Sequence, residues 1–400
     1  MDDVNGMHPA SGDADAPLVP AGREYLLRPE IAFLNHGSFG ACPRPVFETY
    51  QRWQRELSLQ PVEFLGRRLR DLLAEAREPL ARYLGAQPDD LVFVPNATHG
   101  MNIVARSLRL EPGDEVLMSN HEYGAVERTW RFICEQTGAQ YRVQPIALPI
   151  TDVETVLEQL WQGVTERTHV IVISHITSPT ALIFPIAALC RRAAERGILT
   201  IVDGAHAPGQ INLDLEAIGA DFYTGNCHKW LSAPVGAGFL FARPDRQALL
   251  HPLVVSWGWQ ARNPGVSPFQ DYFEWTGTSD PSAYLSVPAA IAFQEQHNWS
   301  DVRDACHFLA AEARQRIAAL TRLEPICPDS TEWWNQMCSL PLPLTQLASA
   351  DALKRALWET YQIEVPIVEW QERFFVRVSI QAYNSPRDVD RLVDALAELL

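Results

Sequence analysis

No apolar stretch in the 400 residues reaches the roughly 18 to 20 that a bilayer-spanning helix requires, and the N-terminus is acidic where a signal peptide would be basic and then apolar. A cytoplasmic protein without membrane contact is the expectation. Basic clusters are missing too: 33 Lys and Arg face 49 Asp and Glu, for a formal charge of −16, and no segment gathers enough cations to offset that field. Nucleic acid is therefore not an expected partner. The seven cysteines (Cys42, Cys134, Cys190, Cys227, Cys306, Cys327, Cys338) are dispersed, odd in number and never spaced C-x-x-C, so neither a disulfide framework nor a zinc knuckle is indicated. The eleven histidines also lack metal spacing, because His-Glu-Tyr at 121–123 has no second His one helical turn later; no metal is expected. There is no Walker A loop, and Gly236-Ala-Gly238 lacks the third glycine of a dinucleotide fingerprint.

What remains is a globular composition, 47% apolar and 20% charged, long enough for about two or three domains. Residues 1–22, rich in Asp, Ala, Gly and Pro, cannot offset the entropy of ordering and read as a flexible tail. Residues 23–44 read as an arm carrying Asn35-His-Gly-Ser-Phe-Gly40, two glycines bracketing polar groups where the backbone turns tightly or approaches a ligand. From about residue 45 apolar residues recur by threes and fours, and then strands and helices alternate. Strand-like runs begin at Leu91, Glu115, Tyr141, His169, Ile198, Asp221 and Gly238, with helical periodicity between them. Such alternation implies an α/β domain over 45–284, with a mostly parallel sheet between helices and ligands at the carboxyl ends of the strands. Residues 285–400 change character, with a helix over Val302–Leu320, a Pro-rich connection, a helix over Ala350–Tyr361, a strand over Phe374–Ser379 and a closing helix: a smaller α+β domain.

Polar groups stand just past five predicted strand ends: Asn96-Ala-Thr-His-Gly100, Asn120-His-Glu-Tyr123, Ser174-His-Ile-Thr-Ser178, Asp203-Gly-Ala-His206 and Asn226-Cys-His-Lys-Trp230. Five in order at a ligand-binding edge exceed what capping alone explains. Asp203 ends an apolar strand, and Lys229 follows 26 residues on. A desolvated lysine forms an imine with an aldehyde cofactor, and a fixed carboxylate keeps a pyridine nitrogen protonated, so the pair describes pyridoxal phosphate chemistry. On spacing alone, a cap at Asp203 ion-paired with Lys229 fits equally. Thr98, His99 and Gly100 open a helix after a strand, a place for an anion, although Thr98 taken alone is an ordinary N-cap.

With these motifs, and with Trp275-Thr-Gly-Thr278 and Arg377-Val-Ser-Ile-Gln-Ala-Tyr-Asn384, the chain resembles the fold-type I pyridoxal-phosphate enzymes of aminotransferase class V, isopenicillin N epimerase-like branch, from about residue 25 to the end. The resemblance implies that Lys229 carries the cofactor, that Asp203 pairs with its ring nitrogen, that His206 and Ser178 lie near its phenolic oxygen and that His121 stacks on its face. It implies a phosphate site of Ala97, Thr98, His99, Asn226 and His228, completed by Thr278 of a second subunit, hence a homodimer. It also implies that Arg377 clamps the carboxylate of an amino-acid substrate, with Asn35 and His36 on the substrate side. Other uses stay open: Arg377 as an edge-strand charge, His121 and His206 as packing residues, Tyr123 packing, stacking or donating a proton, and Trp257, Trp259 and Trp275 sealing the domain junction.

The expected reaction begins with loss of the Cα proton of an amino acid to Lys229. Epimerisation or C–S lysis leads. Transamination and cysteine desulfuration are alternatives, the latter disfavoured because Glu364 to Phe375 contains no cysteine and because Cys327 and Cys338 lie in a Pro-rich stretch. A non-catalytic dimeric binding module is the rival from another class, opposed by the joint presence of Lys229, Asp203 and Arg377.

Overall fold

The computed structural model describes residues 16–265, 267–343 and 349–400. Its strands, in chain order, are β1 (Ala32–Phe33), β2 (Leu91–Val94), β3 (Glu115–Ser119), β4 (Gln140–Gln144), β5 (Thr168–Ser174), β6 (Leu199–Gly204), β7 (Phe222–Asn226), β8 (Gly238–Ala242), β9 (Met337–Leu342), β10 (Ile363–Glu364), β11 (Ile367–Trp370) and β12 (Arg373–Ser379). Seven of them form the central sheet in the order β2-β8-β7-β6-β5-β3-β4. Neighbours run parallel from β7 to β4, while β8 is antiparallel to both β2 and β7.

The sheet forms because its strands are apolar on both faces. Alternate residues point to opposite sides. Val92, Val170, Val172, Ile201, Phe222 and Leu240 enter one core with the helices Ala97–Ser107 and Gly124–Thr137. Phe93, Ile171, Ile173, Val202, Tyr223 and Phe239 enter the other. Helix starts are fixed by short polar side chains: Asn96, Asp152 and Asp214 each accept a hydrogen bond from a first-turn backbone N–H.

The small sheet, ordered β11-β12-β9, departs from expectation. The stretch read as a Pro-rich connection contains β9, with Pro341 opposite Phe375. An edge strand tolerates proline because one side of its backbone needs no ladder bond. The arm threads into this domain: β1 pairs parallel with β10, and Asn35 bridges Ser379. Residues 1–15 of the expected tail lie outside the described residues. The rest of it is held, since Leu18 N–H donates to the Asn384 carbonyl at 2.8 Å and a Cβ on Gly22 would overlap the Ala382 carbonyl oxygen. At the other boundary the helix Val287–Gln296, expected in the small domain, packs on Arg44–Leu59 and Leu69–Leu84.

Candidate functional site

Asp203 sits near the carboxyl end of β6, and Lys229 follows the end of β7, the neighbouring parallel strand. Both reach one crevice; Asp203 caps the following turn, but no ion pair joins it to Lys229 among the described residues. Asp203 is buried and accepts the Ala205 N–H at 2.9 Å. Burial raises its carboxyl above the ordinary range, against the Ala205 N–H and the Lys229 charge, which lower it. Burial, reinforced by the Arg377 charge and opposed by Asp203, pulls the Lys229 amine down to about 7. Lys229 Nζ lies 3.3 Å from Nε2 of His206, whose Nδ1 faces the Trp230 indole N–H at 3.2 Å. An indole nitrogen only donates, so Nδ1 accepts and the neutral ring carries its proton on Nε2, pointing at the amine. Burial, then the Lys229 and Arg377 charges, keep His206 neutral.

The lysine backbone is braced from the arm. His36 is fully buried, its Nε2–H donates to the Lys229 carbonyl at 3.0 Å, and its Nδ1 accepts from the Tyr383 hydroxyl at 3.1 Å. Burial depresses its pKa to about 3. Gly40 lies so close that a Cβ there would overlap the His228 carbonyl oxygen. Gln294 donates to the Trp230 carbonyl at 2.9 Å and accepts from the Tyr83 hydroxyl at 2.7 Å. His36, expected on the substrate side, is thus a backbone brace. Asn35 is likewise engaged, donating to Glu364 at 2.9 Å and accepting from Ser38 at 2.5 Å, so it too is corrected to a structural role. The sequence reading gave Trp230 and Ser38 no role of their own, although both stand in the motifs singled out above, and nothing in the sequence marked Gln294.

At the other end of the crevice the helix Ala97–Ser107 points its N-terminus inward. Gly100 permits the close approach, since a Cβ there would overlap the Thr224 hydroxyl. Two of the three expected backbone donors are already occupied: the Ala97 N–H by Asn226 Oδ1 at 2.8 Å and the His99 N–H by Asn96 Oδ1 at 2.9 Å. Among the described residues the Thr98 N–H and hydroxyl, the Asn226 side-chain N–H₂ and His228 Nε2 have no protein partner. His228 Nδ1 donates to the Ala237 carbonyl at 2.8 Å, and burial draws the ring down to about 4. Thr278 stands exposed on the segment leading to the helix Ser282–Leu285.

Arg377, on β12, is 6% exposed. Its Nη1 donates to the Ser178 carbonyl at 2.7 Å and hydroxyl at 3.1 Å, and its Nη2 to the Ser38 hydroxyl at 3.3 Å. Ser178 therefore serves the guanidinium directly. Arg377 Nε is buried without a partner, and no carboxylate pairs with this cation among the described residues. Burial lowers the guanidinium to about 10, with the Tyr123 phenol acting the other way. An edge-strand charge would be solvated or paired; β12 is the central strand of its sheet, and this cation is neither.

His121, expected to stack on the cofactor, has both ring nitrogens and one face engaged by the protein. Its ring is fully buried, Nε2 donates to the Ile146 carbonyl at 2.9 Å and Nδ1 accepts from Thr180 at 2.7 Å, while Trp370 covers it with centroids 4.5 Å apart. Tyr123, two residues on, is 47% exposed, the accessible aromatic side chain of this loop. Between them Glu122 accepts the Ser119 and Ser174 hydroxyls at 2.5 and 2.6 Å. Burial raises its carboxyl to about 7 against those bonds. Trp257 and Trp259 are 84% and 42% exposed and seal no junction within the chain; Trp275 packs on the main core.

This donor set fits pyridoxal 5′-phosphate. Unpartnered N–H and O–H groups at a helix N-terminus suit a phosphate, a buried carboxylate suits the ring nitrogen, and a lysine amine of depressed basicity suits the aldehyde. No cluster of metal-ligating side chains exists among the described residues.

The comparisons agree with this geometry. An isopenicillin N epimerase of Amycolatopsis lactamdurans is 37% identical over 395 residues, 95% of this chain and 98% of that protein. A probable chloroplastic L-cysteine desulfhydrase of Arabidopsis thaliana is 29% identical, over 93% of this chain and 83% of its own. Among solved structures, the cystine C–S lyase C-DES in complex with its product cysteine persulfide shares the fold at a TM-score of 0.79 and 21% identity, covering 92% of this chain and 98% of that one. Residues 41–392 match the family described as Aminotransferase class-V, and with an intact lysine, aspartate and arginine at the expected strand ends the chain belongs to that family.

Proposed function

We propose that the chain is a pyridoxal-phosphate-dependent enzyme that removes the Cα proton of an α-amino acid, of the epimerase kind, with C–S lysis as the second reading. The observation that carries this is Arg377, a buried guanidinium with an orphaned Nε and no carboxylate partner, beside an amine held at about 7. A cation kept dry without a counter-ion is a site for the anion it will bind, and a planar fork matches a carboxylate. When bound, the cofactor supplies an electron sink for the pair left at Cα. The rest is done by the chain. Asp203 would hold a proton at the ring nitrogen, and the Thr98 and Asn226 donors the phosphate; His228 Nε2 carries no proton while Nδ1 donates to Ala237, and would join them only as the charged ring. Arg377 orients the Cα–H bond through the carboxylate. Lys229 Nζ, neutral over half the time above its pKa, takes the proton once its lone pair leaves the His206 Nε2–H that holds it in the resting chain.

Epimerisation returns a proton to Cα from the face opposite its departure, and C–S lysis hands one to the leaving sulfur; the half-exposed Tyr123 phenol is suited to either. The epimerase reading takes its support from relatives at 37% identity over most of the chain, the lyase reading from the desulfhydrases at 29% and 30%. Desulfuration would need a nucleophilic thiol before Arg377, and the hairpin that precedes it carries none. A homodimer in which exposed Thr278 reaches the partner's phosphate is part of the proposal; Phe39, Val235 and Trp257 stand 73%, 72% and 84% exposed in the single chain.

Two measurements test it. Borohydride reduction of the loaded protein should attach the cofactor to Lys229 and leave Lys354, the only other lysine, unmodified. Incubation in heavy water with L-amino acids and S-substituted cysteines should place deuterium at Cα with inversion; pyruvate and thiol would identify the lyase, and a keto acid with no pyruvate the transaminase. No deuterium at Cα and no keto acid would reject the substrate class.

A further inference from the structure

The hairpin β11–β12 ends in a two-residue turn at Gln371 and Glu372, with φ of 46° and 58°. Turns of this kind favour Gly and Asn, so contacts rather than turn sequence hold its tip. Those contacts cross to the large domain. The Trp370 indole N–H donates to the Asn120 carbonyl at 2.7 Å, and its ring lies on His121. His121 is itself immobilised: the Leu182 N–H donates to Thr177 at 2.8 Å, Thr177 and Thr180 share a hydroxyl bond of 2.8 Å, and Thr180 meets His121 Nδ1. Two residues before Thr180 stands Ser178, held by Arg377, which lies on the same hairpin as Trp370. The contacts close a ring from Arg377 through Ser178, Thr180, His121 and Trp370 back to Arg377. Tyr123 is carried two residues beyond the point where Trp370 grips it.

We propose that Trp370 is a positioning residue that couples the carboxylate clamp at Arg377 to Tyr123, so that a carboxylate on Arg377 steadies the hairpin and, through the Asn120 and His121 contacts, the loop presenting the phenol. This rests on the reading that Tyr123 works on the substrate. It also gives His121 its use, as the socket for Trp370.

Trp370→Phe keeps an aromatic ring on His121 and deletes the indole N–H; Trp370→Ala deletes both. In the cofactor-free protein, hydrogen exchange of the amides at 119–123 should accelerate about fivefold in Trp370→Phe, the equivalent of one ordinary hydrogen bond, while β5 and β6 stay protected. In the loaded enzyme, Trp370→Ala should lower kcat about tenfold or more with KM within about threefold, and Tyr123→Phe should add little in that background although it is damaging alone. Unchanged exchange at 119–123, or losses that multiply in the double variant, would overturn the coupling and leave Tyr123 its role. A silent Tyr123→Phe variant would remove Tyr123 from the reaction, and the proposal with it.

Discussion

Replacing Arg377 by Met separates binding from folding. The guanidinium is held by Ser178 and Ser38, keeps one buried N–H unused and meets no carboxylate among the described residues. Taking such a cation out of water opposes folding by several kcal/mol, of which its three neutral oxygen contacts return a part. Methionine fills similar length without the charge, so the two changes offset and stability should move by no more than about 2 kcal/mol. Substrate binding has no such compensation. Losing a two-pronged charge-assisted grip is worth about 2 to 4 kcal/mol, or roughly 30- to 1000-fold in apparent affinity. The assay is KM for an amino acid beside the urea midpoint of the same variant, with the amine lacking a carboxylate as control, which should bind both proteins alike. Arg377→Lys should rescue only part of the loss, since a point charge cannot reproduce the fork. An unchanged KM with a lowered urea midpoint would show that Arg377 merely straps Ser178 to β12, and the carboxylate site would have to be sought elsewhere.

Burial holds the Lys229 amine at about 7 against an ordinary 10.5, so the folded chain sheds this proton while the unfolded chain still keeps it. Between those values the unfolded state binds the extra proton; stability of the cofactor-free protein should therefore rise with pH across that window, the penalty being fully present below it. The same titration sets loading: the rate of borohydride-trappable coupling to pyridoxal phosphate should climb with a one-proton midpoint near the value of the buried amine, and a midpoint near that of free lysine would contradict the desolvated site. Gly40 has φ of 76° and ψ of 166°, with no room for a Cβ beside the His228 and Lys229 carbonyls. Gly40→Ala should lower stability by about 1 to 3 kcal/mol in urea titration and loosen cofactor retention; an unaltered midpoint would mean the arm does not brace the lysine.

The large domain was legible because its strands are apolar on both faces and end in polar punctuation, as at Val202-Asp203 and Asn226, and that pattern needs no knowledge of long-range contacts. Lys229, Asp203 and Arg377 could be picked out because few residue types perform their chemistry. What failed was orientation within a loop. His121 and Tyr123 are two residues apart, and the resemblance favoured the histidine; that His121 is buried under Trp370, 249 residues beyond it, shows only in the assembled chain. His36 failed for the same reason, its partner being a carbonyl 193 residues away. Strand β9 was hidden by Pro341, whose acceptability depends on an edge position that only the assembled sheet defines.

The site also shows why a common core of lysine, aspartate and arginine leaves the outcome of the reaction to its surroundings. The proposed outcomes all share removal of the Cα proton, and the groups proposed to perform it are fixed by the rigid strand ends and by the arm that clasps Lys229. What differs is who meets the substrate next. In this chain the segment before Arg377 is a tight hairpin closed by an indole on the large domain, without a thiol, so it has nothing with which to attack sulfur. The same indole is bonded to Asn120, three residues before the exposed Tyr123 phenol. On the proposed reading, in which Tyr123 donates a proton where desulfuration would demand a nucleophile, the chemistry goes to proton return at Cα or to expulsion of a protonated leaving group. Those two outcomes are separated by the substrate's β-substituent more than by any residue of this site.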